Sequence, residues 1–443
     1  MFFRRAFLPF AVGYFLSQWF RSVNAVVSAD LIRELSLDAW TVGLLTSAYF
    51  LAFSIGQIPV GVALDRFGPR RTESFLLLFA AAGALVFATS DGALGLMLGR
   101  GLIGLGVSAC LMASFHAFIL WAPSARVPFL NGAVMAVGAL GALSATAPVE
   151  WALSFVTWRE LFAALAVVTL GVALFLHLQA LDPEAHRTAS LREVSRGLGQ
   201  VFASRIFWSV APLSITHQGT YLAVQSLWAG PWLRDVAGLP RADVANHLFT
   251  LALSMAVGFL GIGYVAERMG RRGIPPEAVW TGCALAFQAA QGAIAFEVVS
   301  APRALWVVFG LFGASGMLSY VILTRRFPIE MAGRVNACLN VLVFASAFGI
   351  QAAIGAVITW WSPAGSFSTG GYRVAFGSAL ALQVLALVWF RARFRRTGTS
   401  AREAFSRPRS PDGLRRLRGR ALRRSGIPRR RGSTHRARTS PSR

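Results

Sequence analysis

Two stretches of this chain carry the same short pattern, and the distance between them constrains the fold more than any other feature. Residues 56–70 contain Gly56, Gly61, Asp65, Arg66, Gly68 and Arg70; residues 258–272 contain Gly258, Gly263, Glu267, Arg268, Gly270 and Arg272. Each member of the second set follows its counterpart by 202 residues. In both copies the pattern closes a long apolar run and opens a short polar turn. Self-similarity at a fixed period is the mark of one structural unit written twice, so two related halves are expected.

Composition decides what kind of halves these are. The chain is 55% hydrophobic and only 14% charged, with a mean hydropathy of +0.56, whereas soluble domains carry about a quarter charged residues. Apolar runs of about 20 residues, the length that crosses a bilayer core, recur throughout. Twelve are placed near 7–29, 41–63, 73–90, 94–121, 128–152, 160–181, 207–232, 246–266, 278–298, 304–324, 335–361 and 373–392. The expectation is an all-α membrane protein with twelve transmembrane helices in two pseudo-symmetric six-helix halves. Residues 1–181 form the first half, 182–206 a cytoplasmic linker, 207–395 the second half and 396–443 a basic tail. Leu191, Val194, Leu198 and Val201 give the linker an amphipathic stretch suited to lying on the membrane surface. Tandem membrane repeats of this kind build secondary transporters.

Arginine sets the orientation. All 43 basic residues are Arg, against 19 acidic ones, for a net charge of +24. Alternate loops are Arg-rich, and the tail from Arg391 onward holds 19 Arg against Glu403 and Asp412. The positive-inside rule puts that side, and both termini, in the cytoplasm. Arg159, Arg234, Arg241 and Arg303 fall on the other side as exceptions. The tail is too polar to bury a core and is expected to be disordered, touching anionic lipid. Nucleic acid is not expected as a partner, because the tail lacks stacking aromatics. Arg21 interrupts the first apolar run, which therefore reads as a retained span and not a signal peptide. Cys110, Cys283 and Cys338 lie in apolar segments without paired spacing, so neither a disulfide nor a metal site is expected.

The loop Gly61-x-x-x-Asp65-Arg66-x-Gly68-x-Arg70-Arg71 resembles the signature loop of the major facilitator superfamily. Its counterpart at Gly263–Arg272, Arg100 with Gly104 and Gly106 in the fourth run, and Trp158-Arg159 before the sixth are also similar to features of that family. The resemblance covers residues 7–392. It implies alternating access, with Gly61, Asp65, Arg66, Gly68, Arg70, Gly263, Glu267 and Arg268 forming a conformational latch. The competing reading of the loop is a topology signal alone.

The polar residues inside the apolar runs are the site candidates. Arg21 sits two-thirds along the first run, where a charge costs about 2.5–3.5 kcal/mol on the lenient insertion scale. Tyr14, Gln18, Arg21 and Ser28 share one helical face, with Asn24 close by. Arg21, Gln18 and Asn24 are expected to contact substrate, since guanidinium matches carboxylate or phosphate bidentately; a buried structural pair is the alternative. In the seventh run Ser214, His217, Tyr221, Gln225 and Trp228 form a matching stripe beside Gln218. His217 is a candidate for proton relay or substrate contact, with packing as the alternative, and Gln218, Tyr221 and Gln225 are candidates for substrate contact. Tyr49, Gln57 and Gln351 are further candidates for the cavity wall. Glu150 and Arg100 are expected either to couple protons or to pair structurally. Asp30, Glu160 and Glu297 read as solvated span ends.

These residues point to a small organic anion moved with protons across a bacterial inner membrane by a monomeric secondary transporter. A drug/proton antiporter is the alternative, disfavoured because no Gly-Pro pair joins Gly138, Gly141 and Pro148 in the fifth run. A non-transporting sensor is a third reading. No nucleotide-binding motif is present, so primary ATP-driven transport is not expected, and no enzymatic activity or cofactor is expected.

Overall fold

Proline, glycine and polar turns cut the apolar runs into helices. The computed structural model describes residues 3–123, 126–181, 191–297, 302–328, 331–361 and 368–406. Most of the predicted linker's first half (182–190) and the tail beyond 406 lie outside the described residues. Among the described residues no strand occurs. After a π-helical turn at Phe3–Phe7 come α1 (Leu8–Ser22), α2 (Asn24–Leu35), α3 (Ala39–Thr89), α4 (Ala93–Gly106), α5 (Cys110–Trp121), α6 (Val127–Ser144), α7 (Ala147–Ala152) and α8 (Trp158–Gln179). Then follow α9 (Leu191–Phe202), α10 (Arg205–Ala223), a π turn (Val224–Trp228), α11 (Ala229–Asp235), α12 (Arg241–Arg271) and α13 (Pro276–Ala295). The series closes with α14 (Pro302–Gly313), a 3-10 turn (Ala314–Gly316), α15 (Met317–Thr324), α16 (Ala332–Trp361) and α17 (Thr369–Ser406).

Among the described residues, eight helical stretches are long and apolar enough to cross a membrane: 39–89, 93–121, 129–152, 158–179, 241–271, 303–324, 332–361 and 369–394. The first of these holds two predicted runs. Its helical course turns at Gly68, whose φ of 78° and ψ of 167° fall outside helical values, just before Pro69. The other predicted runs are helical but shorter or interrupted: 7–29 is α1 and α2, 207–232 is α10, the π turn and α11, and 278–298 is α13. Large apolar side chains such as Leu85, Val167, Leu174, Leu260 and Leu385 are exposed. Such a broad apolar exterior is the surface a bilayer covers.

The sequence repeat is also a packing repeat. The backbone of Gly56 packs against Leu105 and Ser108, and Gly258, 202 positions later, packs against Leu311 and Ala314. A Cβ on Gly61 would meet Met112 Cε at 3.9 Å, and one on Gly263 would meet Met317 Cε at 4.0 Å. Missing side chains at these positions let helices approach closely, the usual basis of helix association in lipid.

At the end of the bundle away from the signature loop, capping fixes the helix starts. Asp38 accepts from Thr41 N at 2.9 Å, and Thr157 with Glu160 forms a complete capping box on α8, satisfying amides that would otherwise be orphaned. Glu160 thus works as a cap, and Glu297 meets Arg373 at 3.2 Å. Trp158 Nε1 donates to Glu34 at 2.6 Å. Arg159 pairs with Glu34 at 2.8 Å and donates to the carbonyl of Ser90 at 2.7 Å, joining α2, α8 and the end of α3.

Candidate functional site

Two irregular turns face each other inside the bundle. The helical run α1–α2 is interrupted at Val23. The carbonyl one turn before Asn24, that of Phe20, accepts from Arg100 Nη1 at 3.0 Å. A side chain inserted into the backbone ladder is a recognised cause of such an interruption. The π turn Val224–Trp228 lies 202 residues further on, with Gln225 at the position matching Val23. Gln225 Nε2 donates to Ser22 Oγ at 3.4 Å, so the two irregular turns touch. Broken helices at corresponding repeat positions mark the binding centre of many transporters, and π turns cluster at functional sites.

Arg21 stands beside this junction. Its guanidinium carbon lies 5.6 Å from the centre of the Phe53 ring and 5.3 Å from that of Phe344, the spacing of cation–π contacts. Phe53 belongs to α3 and Phe344 to α16, so Arg21 sits where the N-terminal and C-terminal parts of the chain meet. It makes no ion pair among the described residues, and its Nε is buried without a hydrogen-bond partner. Asn24 is buried with both amide atoms unpartnered, as is the Tyr221 hydroxyl. The Arg21 charge acts on the hydroxyls of both Tyr14 and Tyr221. Gln18 donates to Tyr14 Oη at 2.6 Å, completing a polar face on α1. Buried polar groups in native proteins are nearly always paired. The Arg21 cation and Tyr221 hydroxyl, which interact electrostatically, and the Asn24 amide three residues along the chain are groups able to bind an anionic, hydrogen-bonding solute.

The other candidates divide in two. Gln351 knots three helices: Nε2 donates to Thr46 Oγ1 at 2.6 Å, Oε1 accepts from Ser226 at 3.0 Å, and its carbonyl accepts from Trp228 Nε1 at 3.0 Å. Tyr49 is fully buried under Arg100, 4.9 Å from ring centre to guanidinium. Gln57 donates to the Ser108 carbonyl at 3.3 Å. His217 packs 4.3 Å from the Phe287 ring and meets Ser315 Oγ at 3.2 Å, while Gln218 donates to Ser214 at 2.7 Å. These five side chains are engaged in contacts of their own, and of them Tyr49 also stacks on Phe53 beside Arg21.

Arg100 and Glu150 do not pair. Arg100 is held by Phe20 and Tyr49, and Glu150 accepts instead from Arg241 Nε at 2.6 Å. Arg241 also grips both oxygens of Asp30, each at 2.7 Å. Asp30 is therefore not a solvated span end but a buried carboxylate under a bidentate arginine. The pair spans 211 residues of sequence, a separation that hid it from any local reading. Beside it lies a cavity of about 410 Å³, lined by Ser28, Asp30, Glu150, Arg234, Arg241 and Leu248 among others. Further along the same end, Trp40 N donates to Thr359 Oγ1 at 2.9 Å.

The latch candidates behave differently. Asp65 is exposed and makes no ion pair among the described residues. Arg66 is exposed over Phe67, at 5.2 Å, and Arg268 is exposed. Glu267 pairs with Arg271 at 2.7 Å on its own helix. Ion pairs of Arg241 with Asp30 and Glu150 join the two parts of the chain at the end opposite the signature loop.

Known proteins agree with this architecture. The Major Facilitator Superfamily profile matches residues 10–350. Over 278 residues the chain is 27% identical to a probable sulfoacetate transporter of Cupriavidus necator, covering 58% of this chain and 64% of that protein. It is 24% identical to a hexuronate transporter of Escherichia coli, covering 57% and 62%. The alignments therefore span a little under two thirds of these relatives' own length. Among solved structures, a bacterial homologue of the human lysosomal transporter Spinster, inward-facing and occupied, superposes with a TM-score of 0.69 at 19% identity, covering 88% of this chain and 96% of that one. A D-xylose–proton symporter superposes with a TM-score of 0.67 at 17% identity, covering 86% and 96%. With its family profile running through most of the chain, this all-helical, multi-pass membrane protein belongs to the Major Facilitator Superfamily.

Proposed function

We propose that this chain is a secondary active transporter that moves a small organic anion together with protons across a bacterial inner membrane. In this reading twelve spans form two six-helix halves that rock around the Arg21 site, with both termini in the cytoplasm. The observation that carries it is Arg21. An unpaired guanidinium at membrane depth, flanked by two aromatic faces and open polar groups of Asn24 and Tyr221, is expensive to keep without a ligand. A carboxylate, sulfonate or phosphate would repay that cost through bidentate hydrogen bonds. The relatives' names, sulfoacetate and hexuronate, are those of anionic solutes, which supports the same substrate class. The Arg241 clasp on Asp30 and Glu150, with Asp65 making no ion pair among the described residues at the other end, supports an inward-facing state.

The test is uptake into proteoliposomes. Labelled sulfoacetate and a hexuronate should accumulate when the outside is more acidic than the lumen. A protonophore should abolish the accumulation, and a neutral sugar of similar size should not accumulate. Equal accumulation of the neutral sugar would remove the anion reading, and proton-driven export of a cationic dye would establish the drug antiporter in its place.

A further inference from the structure

One carboxyl in the bundle has no part in the site or the clasp. Glu73, just past the Gly68 turn, is fully buried, and neither of its oxygens has a hydrogen-bond partner beyond the weak thiol of Cys110. The backbone of Gly13 on α1 packs directly on it: a Cβ there would collide with Glu73 Oε1 and lie 4.0 Å from Cys110 Sγ. The Cys110 thiol of α5 interacts with the same carboxyl, but a thiol is a weak partner. The other titratable or charged groups around it are Tyr14 and Arg21 on α1, His177 on α8, which meets the neighbouring Ser74 at 3.4 Å, and Arg70 and Arg71 on its own helix. None of them reaches a Glu73 oxygen with a hydrogen bond. An ionised carboxylate stripped of water and given no partner is costly by several kcal/mol. The packing here suits the acid with its proton on.

We infer that Glu73 is the carboxyl that carries the transported proton, loaded under α1 in this state and discharged when α1 moves off it. This rests on the anion–proton symport proposed above and names the proton site within it. The helix that covers Glu73 at Gly13 is the helix that presents Arg21 to the substrate eight residues later. The interruption at Val23 separates that segment, α1, from α2, which the Arg241 clasp holds through Asp30. Anion binding at Arg21 and protonation of Glu73 therefore bear on one movable element, as coupling between two sites requires. The chemistry is one proton transfer. An O–H bond forms on a Glu73 oxygen with a proton from water on one side of the membrane, neutralising the carboxylate. It breaks when the carboxyl is rehydrated, and the proton goes to water on the other side.

The experiment compares wild type, Glu73→Gln and Glu73→Asp in proteoliposomes given labelled sulfoacetate or a hexuronate outside, with the same unlabelled anion inside for counterflow. Gradient-driven accumulation is measured beside counterflow at equal pH on both sides. Glu73→Gln keeps the shape and cannot release a proton. Its gradient-driven accumulation should fall by roughly tenfold or more, within the range of coupling between two sites. Its counterflow, which needs no net proton movement, should continue and lose the pH dependence seen in wild type. Glu73→Asp should restore part of the gradient-driven accumulation. In purified wild type, the infrared carbonyl band of a protonated carboxyl should be present, respond to added anion, and be missing from Glu73→Gln. Full accumulation by Glu73→Gln overturns the inference and leaves the symport reading standing. Loss of counterflow as well, at matched thermal stability and without rescue by Asp, makes Glu73 part of the scaffold and also overturns it. Accumulation by wild type that ignores the proton gradient removes the symport reading itself.

Discussion

At the scale of single residues, Arg21 carries the sharpest expectation. A charged hydrogen bond contributes about 1.5–3 kcal/mol, so Arg21→Gln should raise the apparent Kd for an anionic ligand by roughly ten- to a hundredfold. Arg21→Lys should not restore it fully, because an ammonium lacks the planar fork that meets two oxygens at once. Binding of an anion and of a neutral analogue, measured on variants of matched thermal stability, decides the matter. Equal losses for both ligands would move Arg21 from the substrate site to the scaffold. Arg21 was legible in the sequence because a charge in an apolar run is costly and calls for a partner or a ligand. Phe53 and Phe344, which flank it, were not: in a membrane protein an aromatic in an apolar run looks the same whether it faces lipid, core or ligand. Glu73 was hidden for the opposite reason. It follows Arg71 by two residues and has the look of a solvated span end, and only the packing of Gly13 across it shows otherwise.

At the scale of elements, the turn after the second predicted run is held by one glycine. Gly68 adopts φ 78° and ψ 167°, a region that only glycine enters without strain, and Pro69 restricts its neighbour to extended ψ. Gly68→Ala should therefore destabilise the protein by about 1–3 kcal/mol. A lower Tm with the substrate Kd preserved is the expected result, and an unchanged Tm would show that the turn can be remade. Here the sequence was informative, since the spaced glycines and the proline mark the turn directly. The interruption at Val23 was not legible. It coincides with Arg100 taking the Phe20 carbonyl from a helix 80 residues away, and no local pattern records such a partner. The matching π turn at Val224–Trp228 is equally silent in composition. What the sequence did preserve was the 202-residue period, and both irregular turns obey it. The Asp30–Arg241 clasp lies outside that symmetry and emerges only from the three-dimensional arrangement.

At the scale of the whole molecule, the ionic contacts bear on the alternating-access cycle proposed above. Arg241 binds Asp30 and Glu150 across the two parts of the chain, while Asp65 at the other end has no ion partner among the described residues. If Asp65 makes its contact only in the opposite state, the two charges stabilise opposite ends of one equilibrium. Their removal should then have opposite effects. Ser28 is buried and lines the cavity beside the clasp, and the three native cysteines are all buried, so a Ser28→Cys background reports opening at that end through its reaction with a membrane-impermeant maleimide. Arg241→Gln should speed that labelling about fivefold or more, the effect of one kcal/mol or so on a population ratio. Asp65→Asn should slow it. Substitutions at well-separated sites add to within about 0.5 kcal/mol, so the double variant should label at a rate between the two single variants. All three should transport more slowly than wild type, because a carrier must visit both states in every cycle. Acceleration of labelling by both single substitutions would mean that Asp65 and Arg241 hold the same end shut, and the signature loop would then lose its part as the opposing latch.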